Sequence, residues 1–146
     1  MIVATISYLI QKNDKEKLIT NVLTPTYVVF IVMVTLLNRA DGGGYNLIPF
    51  WSYMAAYGGA LYLWKEVALN YLLFMPLGFF LMIRMENTVK VSMIDLCFSS
   101  LIEIAQLMFN RGLFEFDDII GNTIGCLIGA MIGKIVCRYL ISKRQS

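Results

Sequence analysis

Apolar positions along this chain come in long blocks rather than in the strict alternation of half-buried strands. Four blocks are long enough for membrane helices, which need about 20 apolar residues to cross about 30 Å of hydrocarbon. They cover approximately Leu18–Leu37, Lys65–Ile83, Val91–Phe109 and Asp118–Tyr139. Asn38-Arg39 and Asp41-Gly42-Gly43-Gly44 close the first block. Arg84, Glu86, Asn87 and Lys90 form a short polar loop after the second, and Arg111, Glu115 and Asp117 form another after the third. Met1–Ile10 is apolar but reaches only about 15 Å as a helix, too short to span, and predicts an interfacial helix ahead of the charged KNDKEK. It lacks the basic start and small-residue cleavage site of a signal peptide. Tyr45–Trp64 holds both tryptophans and four tyrosines, interrupted by Pro49 and Gly58-Gly59. Such aromatics gather at membrane–water interfaces, so an interfacial or re-entrant segment is expected between helices one and two, with a fifth span as the alternative. The pattern predicts an all-α integral membrane protein with four transmembrane helices, a single domain over residues 1–146.

Two of the blocks carry a second pattern. In the third, Asp95, Ser99, Glu103, Gln106 and Asn110 are spaced 4, 4, 3 and 4, which on a helix is one continuous polar stripe. An ionisable residue at a membrane-helix centre costs roughly 2.5–3.5 kcal/mol, so it faces protein or water and marks a candidate site. In the fourth, Gly121, Gly125, Gly129 and Gly133 form a ladder of step four, which predicts close approach of a neighbouring helix. Pro76 interrupts the second block by leaving the Leu72 carbonyl without its helical partner, which predicts a bend.

Composition supports the membrane reading. The chain is 58% hydrophobic and 15% charged, with a mean hydropathy of +0.68, whereas soluble domains average about 45–50% apolar and about 25% charged. The net charge of +2 is too small to suggest nucleic acid. There is no histidine, which removes imidazole acid–base chemistry and the commonest metal ligand. Cys97, Cys126 and Cys137 sit in apolar runs without metal or disulfide spacing and read as core or lipid-facing residues. No cofactor is expected.

Charge placement says more than its sum. In a four-span arrangement Lys12, Lys15, Lys17, Arg84, Lys90, Lys134, Arg138, Lys143 and Arg144 share one side, and only Arg39, Lys65 and Arg111 the other. The bias of nine against three predicts both termini in the cytoplasm. The outer leaflet then receives Arg39, Asn70, Glu103, Gln106, Arg111, Glu115, Asp117, Asp118 and Asn122, brought from far-apart segments.

NLIPF at 46–50, N-x3-F-x-P-x-G at 70–78, S-x3-E-x2-Q at 99–106 and R-x5-D-D-x3-N-T-x-G at 111–125 together resemble the VanZ-like membrane proteins. The resemblance covers about residues 20–135. It implies a cell-membrane protein of envelope biology, in a family whose founding member is linked to teicoplanin resistance in Gram-positive bacteria. Carried over by position, the family's characteristic polar residues are Asn70, Glu103, Gln106, Arg111, Asp118 and Asn122; Glu115 stands where the family carries an Asp.

The residues leave several roles open. One is an outward-facing polar pocket binding an anionic or peptidic envelope component: a membrane lipid, a lipid-linked precursor or a lipoglycopeptide. Arg39 and Arg111 would grip phosphate or carboxylate, and Glu103, Asn70 and Asn122 would orient it. Another is an intramembrane enzyme on a lipid-linked substrate, with Glu103 and Asp118 as acid and base. A third is assembly or scaffolding. Glu103 with Gln106 can also be an interhelical clamp, paired with Arg111 or Arg39. Asp118 can cap the fourth helix, and Asp95 can snorkel or pair with Lys90 or Arg84. A divalent cation on Glu103, Glu115, Asp117 and Asp118 is chemically possible, although no metal is expected. The sequence leaves the oligomeric state open.

Overall fold

The computed structural model describes residues 13–37, 39 and 42–145; the expected helix at Met1–Ile10 lies outside them. Among the described residues, five helices and two very short strands follow in order: α1 (Asn13–Leu37), β1 (Tyr45–Asn46), α2 (Trp51–Tyr57), α3 (Tyr62–Met85), α4 (Thr88–Met108), β2 (Phe114–Glu115) and α5 (Phe116–Gln145). Four helices among the described residues are long and apolar enough to cross a membrane, over Thr20–Leu37, Tyr62–Met85, Thr88–Met108 and Phe116–Tyr139. The chain is an all-α, multi-pass membrane protein. Large apolar side chains such as Val29, Phe30, Met33, Leu72, Leu101 and Ile135 lie on the outside of the bundle, where lipid replaces water as the solvent.

The spans start earlier than hydropathy alone suggests. α3 takes in Tyr62–Trp64 from the aromatic segment, and α5 begins at Phe116, ahead of Asp118. The rest of that segment is not a fifth span: α2 has seven residues, about 10 Å of helix. The turn between α3 and α4 is two residues long. Glu86 takes the left-handed conformation that stops α3, and the Asn87 side chain caps α4 by accepting from the Lys90 N–H at 3.1 Å.

The bundle is centred on α5, which packs mainly against α3 and then against α4, while α1 covers α3 and α4 from the other side. Glycine determines the main contact. At Gly125 and Gly129 a Cβ would overlap the Tyr71 and Met75 backbones of α3, and at Gly78 of α3 it would overlap the Cys126 backbone. Gly121 and Gly133 abut Tyr71 and Phe79 less tightly. Gly78 thus slots between the rungs of the α5 ladder, and two main chains touch where side chains would hold them apart. Tyr27 of α1 donates to the Leu73 carbonyl at 2.9 Å, beside the turn that Pro76 disturbs. Ile31, Phe74, Leu77, Val91, Ile102, Cys126 and Ala130 form the apolar core. Cys97 is exposed and Cys126 buried, both as free thiols.

One feature has no hydropathy signal. The loop after α1 pairs in parallel with the loop after α4, Tyr45 opposite Phe114 and Asn46 opposite Glu115, with a further bridge from Gly42 to Arg111. This pairing ties together one end of the bundle, here called the loop end.

Candidate functional site

The polar stripe of α4 faces the protein. Asp95, Ser99, Glu103 and Gln106 are all buried, while Asn110 lies past the end of the helix, exposed and in the left-handed conformation. Three of the buried members each meet a different element. The Gln106 amide donates to the Thr35 carbonyl of α1 at 3.0 Å. Glu103 Oε2 accepts from the Glu115 N–H at 2.9 Å, which places the carboxylate directly beneath β2. Ser99 accepts from the Asn122 amide of α5 at 2.8 Å.

Asp118 is the centre of the loop end. One carboxylate oxygen is ion-paired with the Arg39 guanidinium, and the other accepts from the Asn70 amide of α3 at 2.7 Å. Arg39 also reaches Glu115 at 4.0 Å. Gly112 makes room for the arginine: a Cβ there would sit 2.9 Å from Arg39 Cδ, and its backbone, at φ 88°, is one that side chains rarely tolerate. Burial disfavours the charge on Arg39, but Asp118, with Glu103 and Glu115, more than compensates and raises its pKa, so the guanidinium stays charged. Burial, with Asp118 nearby, pushes Glu115 up to about 7 despite Arg39.

Asp117, next in line, works in the opposite direction. Its two oxygens accept from the Phe50 N–H at 2.5 Å and the Ser52 N–H at 2.8 Å, so a carboxylate on α5 holds the start of α2. Phe50 adopts a left-handed backbone at φ 63°, and Asn46 closes the preceding turn by accepting from the Ile48 N–H at 3.2 Å. The NLIPF segment is therefore a fixed turn docked on Asp117. Nearby, the Tyr53 and Tyr71 hydroxyls share a hydrogen bond at 2.6 Å. Burial and that bond raise the Tyr53 pKa.

The four motifs thus meet at one place. Residues 22–137 match the family model described as VanZ/LLP1. The chain belongs to the VanZ-like family. No curated protein and no solved structure matches it. In VanZ-like terms, each motif supplies a partner to another: NLIPF to Asp117, Asn70 to Asp118, Ser99 to Asn122, and Glu103 to the loop before the paired aspartates.

Several expectations change. Asp118 does not cap α5 through its own backbone, because Arg39 and Asn70 occupy its oxygens. Of the two cations left open, Arg39, from a segment 79 residues away, is ion-paired with Asp118, and the Arg111 backbone N–H donates to the Gln106 carbonyl at 2.8 Å. Asp95 neither snorkels nor pairs with Lys90 or Arg84: it is wholly buried against α5, and those two cations are exposed. Among the described residues no three carboxylates or thiols converge as a metal-ligand group. Sequence reasoning missed Thr35, Ser52, Tyr53 and Tyr71. The first three contribute through backbone groups or from the irregular aromatic segment, where no periodicity distinguishes one polar residue from another.

Proposed function

We propose that the loop end is an outer-leaflet binding site for an envelope component with charged or peptidic headgroup chemistry. The observation that carries the reading is the Arg39–Asp118 pair with Glu103, Glu115 and Asn70 around it. Three of the four motifs contribute to this one constellation, the fourth, NLIPF, docks beside it on Asp117, and 29% of the Arg39 side chain remains accessible. A guanidinium paired with a carboxylate through one nitrogen keeps N–H groups for phosphate or carboxylate. Glu103 and Glu115 beside it suit the amines and amides of a peptidic ligand. Candidates are a phospholipid headgroup, a lipid-linked precursor or a lipoglycopeptide, and family membership supports a role in teicoplanin tolerance. The basic residues at 84, 90, 134 and 138 favour cytoplasmic termini and an outward loop end.

The enzyme reading needs Glu103 and Asp118 available for proton exchange. Asp118 is held by two partners and Glu103 by the Glu115 amide, so no contact favours that reading.

The test is binding of teicoplanin, and separately of a lipid-linked peptide precursor, to the purified protein in lipid nanodiscs. Wild type should bind one of them and Arg39→Gln should bind at least tenfold more weakly. Equal binding by both proteins would refute the reading. Reporter fusions after Arg84 and Arg111 should report inside and outside respectively; the reverse would put the site on the wrong face.

A further inference from the structure

Halfway down the bundle, the α4–α5 interface holds a group of oxygens that the loop-end site does not use. Among the described residues, seven buried side-chain polar atoms lack a hydrogen-bond partner, and four of them lie here: both carboxylate oxygens of Asp95, Oγ1 of Thr123 and Oδ1 of Asn122. Asp95 is 0% exposed and Asn122 3%. The Thr123 hydroxyl and the Cys126 thiol are the polar neighbours of Asp95, but neither closes a well-formed hydrogen bond onto it. The Asn122 amide spends its donor on Ser99, one turn along α4 from Asp95, and leaves Oδ1 as a pure acceptor. Acceptors therefore outnumber donors around this carboxylate.

Its charge is also unanswered. Arg39 makes its ion pairs at the loop end, and Arg84 and Lys90, the basic residues nearest Asp95 in sequence, are exposed. An acidic side chain in the middle of a membrane bundle is neutralised either by a proton or by a counter-charge, and only the second also gives the surrounding acceptor oxygens a partner. A water molecule donates two hydrogen bonds and supplies no charge. A small cation does both things the oxygens need, since hard cations take carboxylate, amide and hydroxyl oxygens as ligands. One carboxylate with neutral oxygens balances a single positive charge, whereas a divalent ion would remain half uncompensated.

We propose that Asp95, Asn122 and Thr123 form an intramembrane site for a small monovalent alkali cation. The cation joins α4 to α5 at mid-depth, below the loop-end cluster, and the two sites share the Asn122–Ser99 contact as their boundary.

The experiment is thermal unfolding of the full-length protein in a neutral detergent, in sodium chloride against choline chloride at equal ionic strength, together with radioactive sodium binding. A ligand that binds only the folded state raises Tm with its concentration. Wild type should melt several degrees higher in sodium than in choline and bind about one sodium per chain. Asp95→Asn, near-isosteric and uncharged, should abolish both effects. Thr123→Val, which removes one oxygen and keeps the carboxylate, should shrink them, and it carries the test if Asp95→Asn does not fold. Equal wild-type melting in the two salts without bound sodium overturns the proposal. So does an undiminished sodium effect in Thr123→Val, or in a folded Asp95→Asn protein.

Discussion

The face of α5 that meets α3 and the end of α5 that meets the loops are built in opposite ways. Along the first, Gly125 and Gly129 lie on the backbones of Tyr71 and Met75, and the contact is made by main chain with no charge involved. At the second, Asp117 and Asp118 reach α2, α3 and the segment after α1 through hydrogen bonds and an ion pair. Small-residue packing is sufficient to associate membrane helices, and interhelical polar contacts add only about 0.6 kcal/mol on average. Burying a charged pair is at best close to neutral for stability. The bundle therefore has its association from glycine, and the charge at the loop end is in excess of what association needs. That excess is the physical argument for a function there.

The largest effect should come from the packing face. Gly129→Leu forces two main chains apart and should cost about 3 kcal/mol or more, read as a lower melting temperature in detergent and weaker expression. A protein as stable as wild type would show that the ladder does not seat on α3. Next, Asp118→Asn removes the main partner of a half-buried guanidinium and should cost at most about 3 kcal/mol, the lower end for breaking a fully buried pair, because Arg39 keeps some solvent access and Glu115 stays within its reach. If its loss is below that of an exposed surface substitution, the loop end is less buried than described here.

The pH dependence distinguishes the two regions as well. Glu115, raised to about 7, binds a proton in the folded state that the unfolded chain has already released. Its contribution is fully present below its ordinary value near 4.5 and is lost as pH rises toward 7. Stability, read through the melting temperature, should accordingly fall between pH 5 and 7, by at most about 1.4 kcal/mol per pH unit for the group. Glu115→Gln should flatten that stretch, and a profile unchanged by the substitution would contradict the assignment. The smallest effect is expected from Asp117→Asn, which weakens two charge-assisted hydrogen bonds at the start of α2 and should cost about 1–2 kcal/mol. Hydrogen exchange should quicken at Phe50 and Ser52 while the spans keep their protection. Uniformly faster exchange would mean that α2 is part of the core.

Much of this was legible in the sequence because membrane helices are encoded by length and hydropathy. The four spans, the inward stripe of Asp95, Ser99, Glu103 and Gln106, and the role of the glycine ladder all follow from helical spacing. Asn70, Glu103, Asp118 and Asn122 were visible as polar residues in apolar runs. What spacing could not show is who meets whom across long separations. The partnership of Arg39 with Asp118 depends on the parallel pairing of two loops, and two-residue strands leave no periodic trace. Asp117 read as a loop charge because its partners are backbone N–H groups of Phe50 and Ser52, which every sequence offers at every position. Asp95 pointed toward Lys90 by proximity in the chain, but its helical position turns it onto α5 instead.

The central claim is that charge at the loop end serves function rather than folding, and Glu103 tests it most directly. Its contact is an accepted hydrogen bond from the Glu115 N–H, which a glutamine oxygen can accept equally well. Teicoplanin tolerance should therefore be measured in cells that depend on this protein, with Glu103→Gln in place of the wild type and the melting temperature of the purified variant measured beside it. Loss of tolerance with a melting temperature within a few degrees of wild type is the predicted result. Full tolerance from a normally folded Glu103→Gln protein would contradict the account.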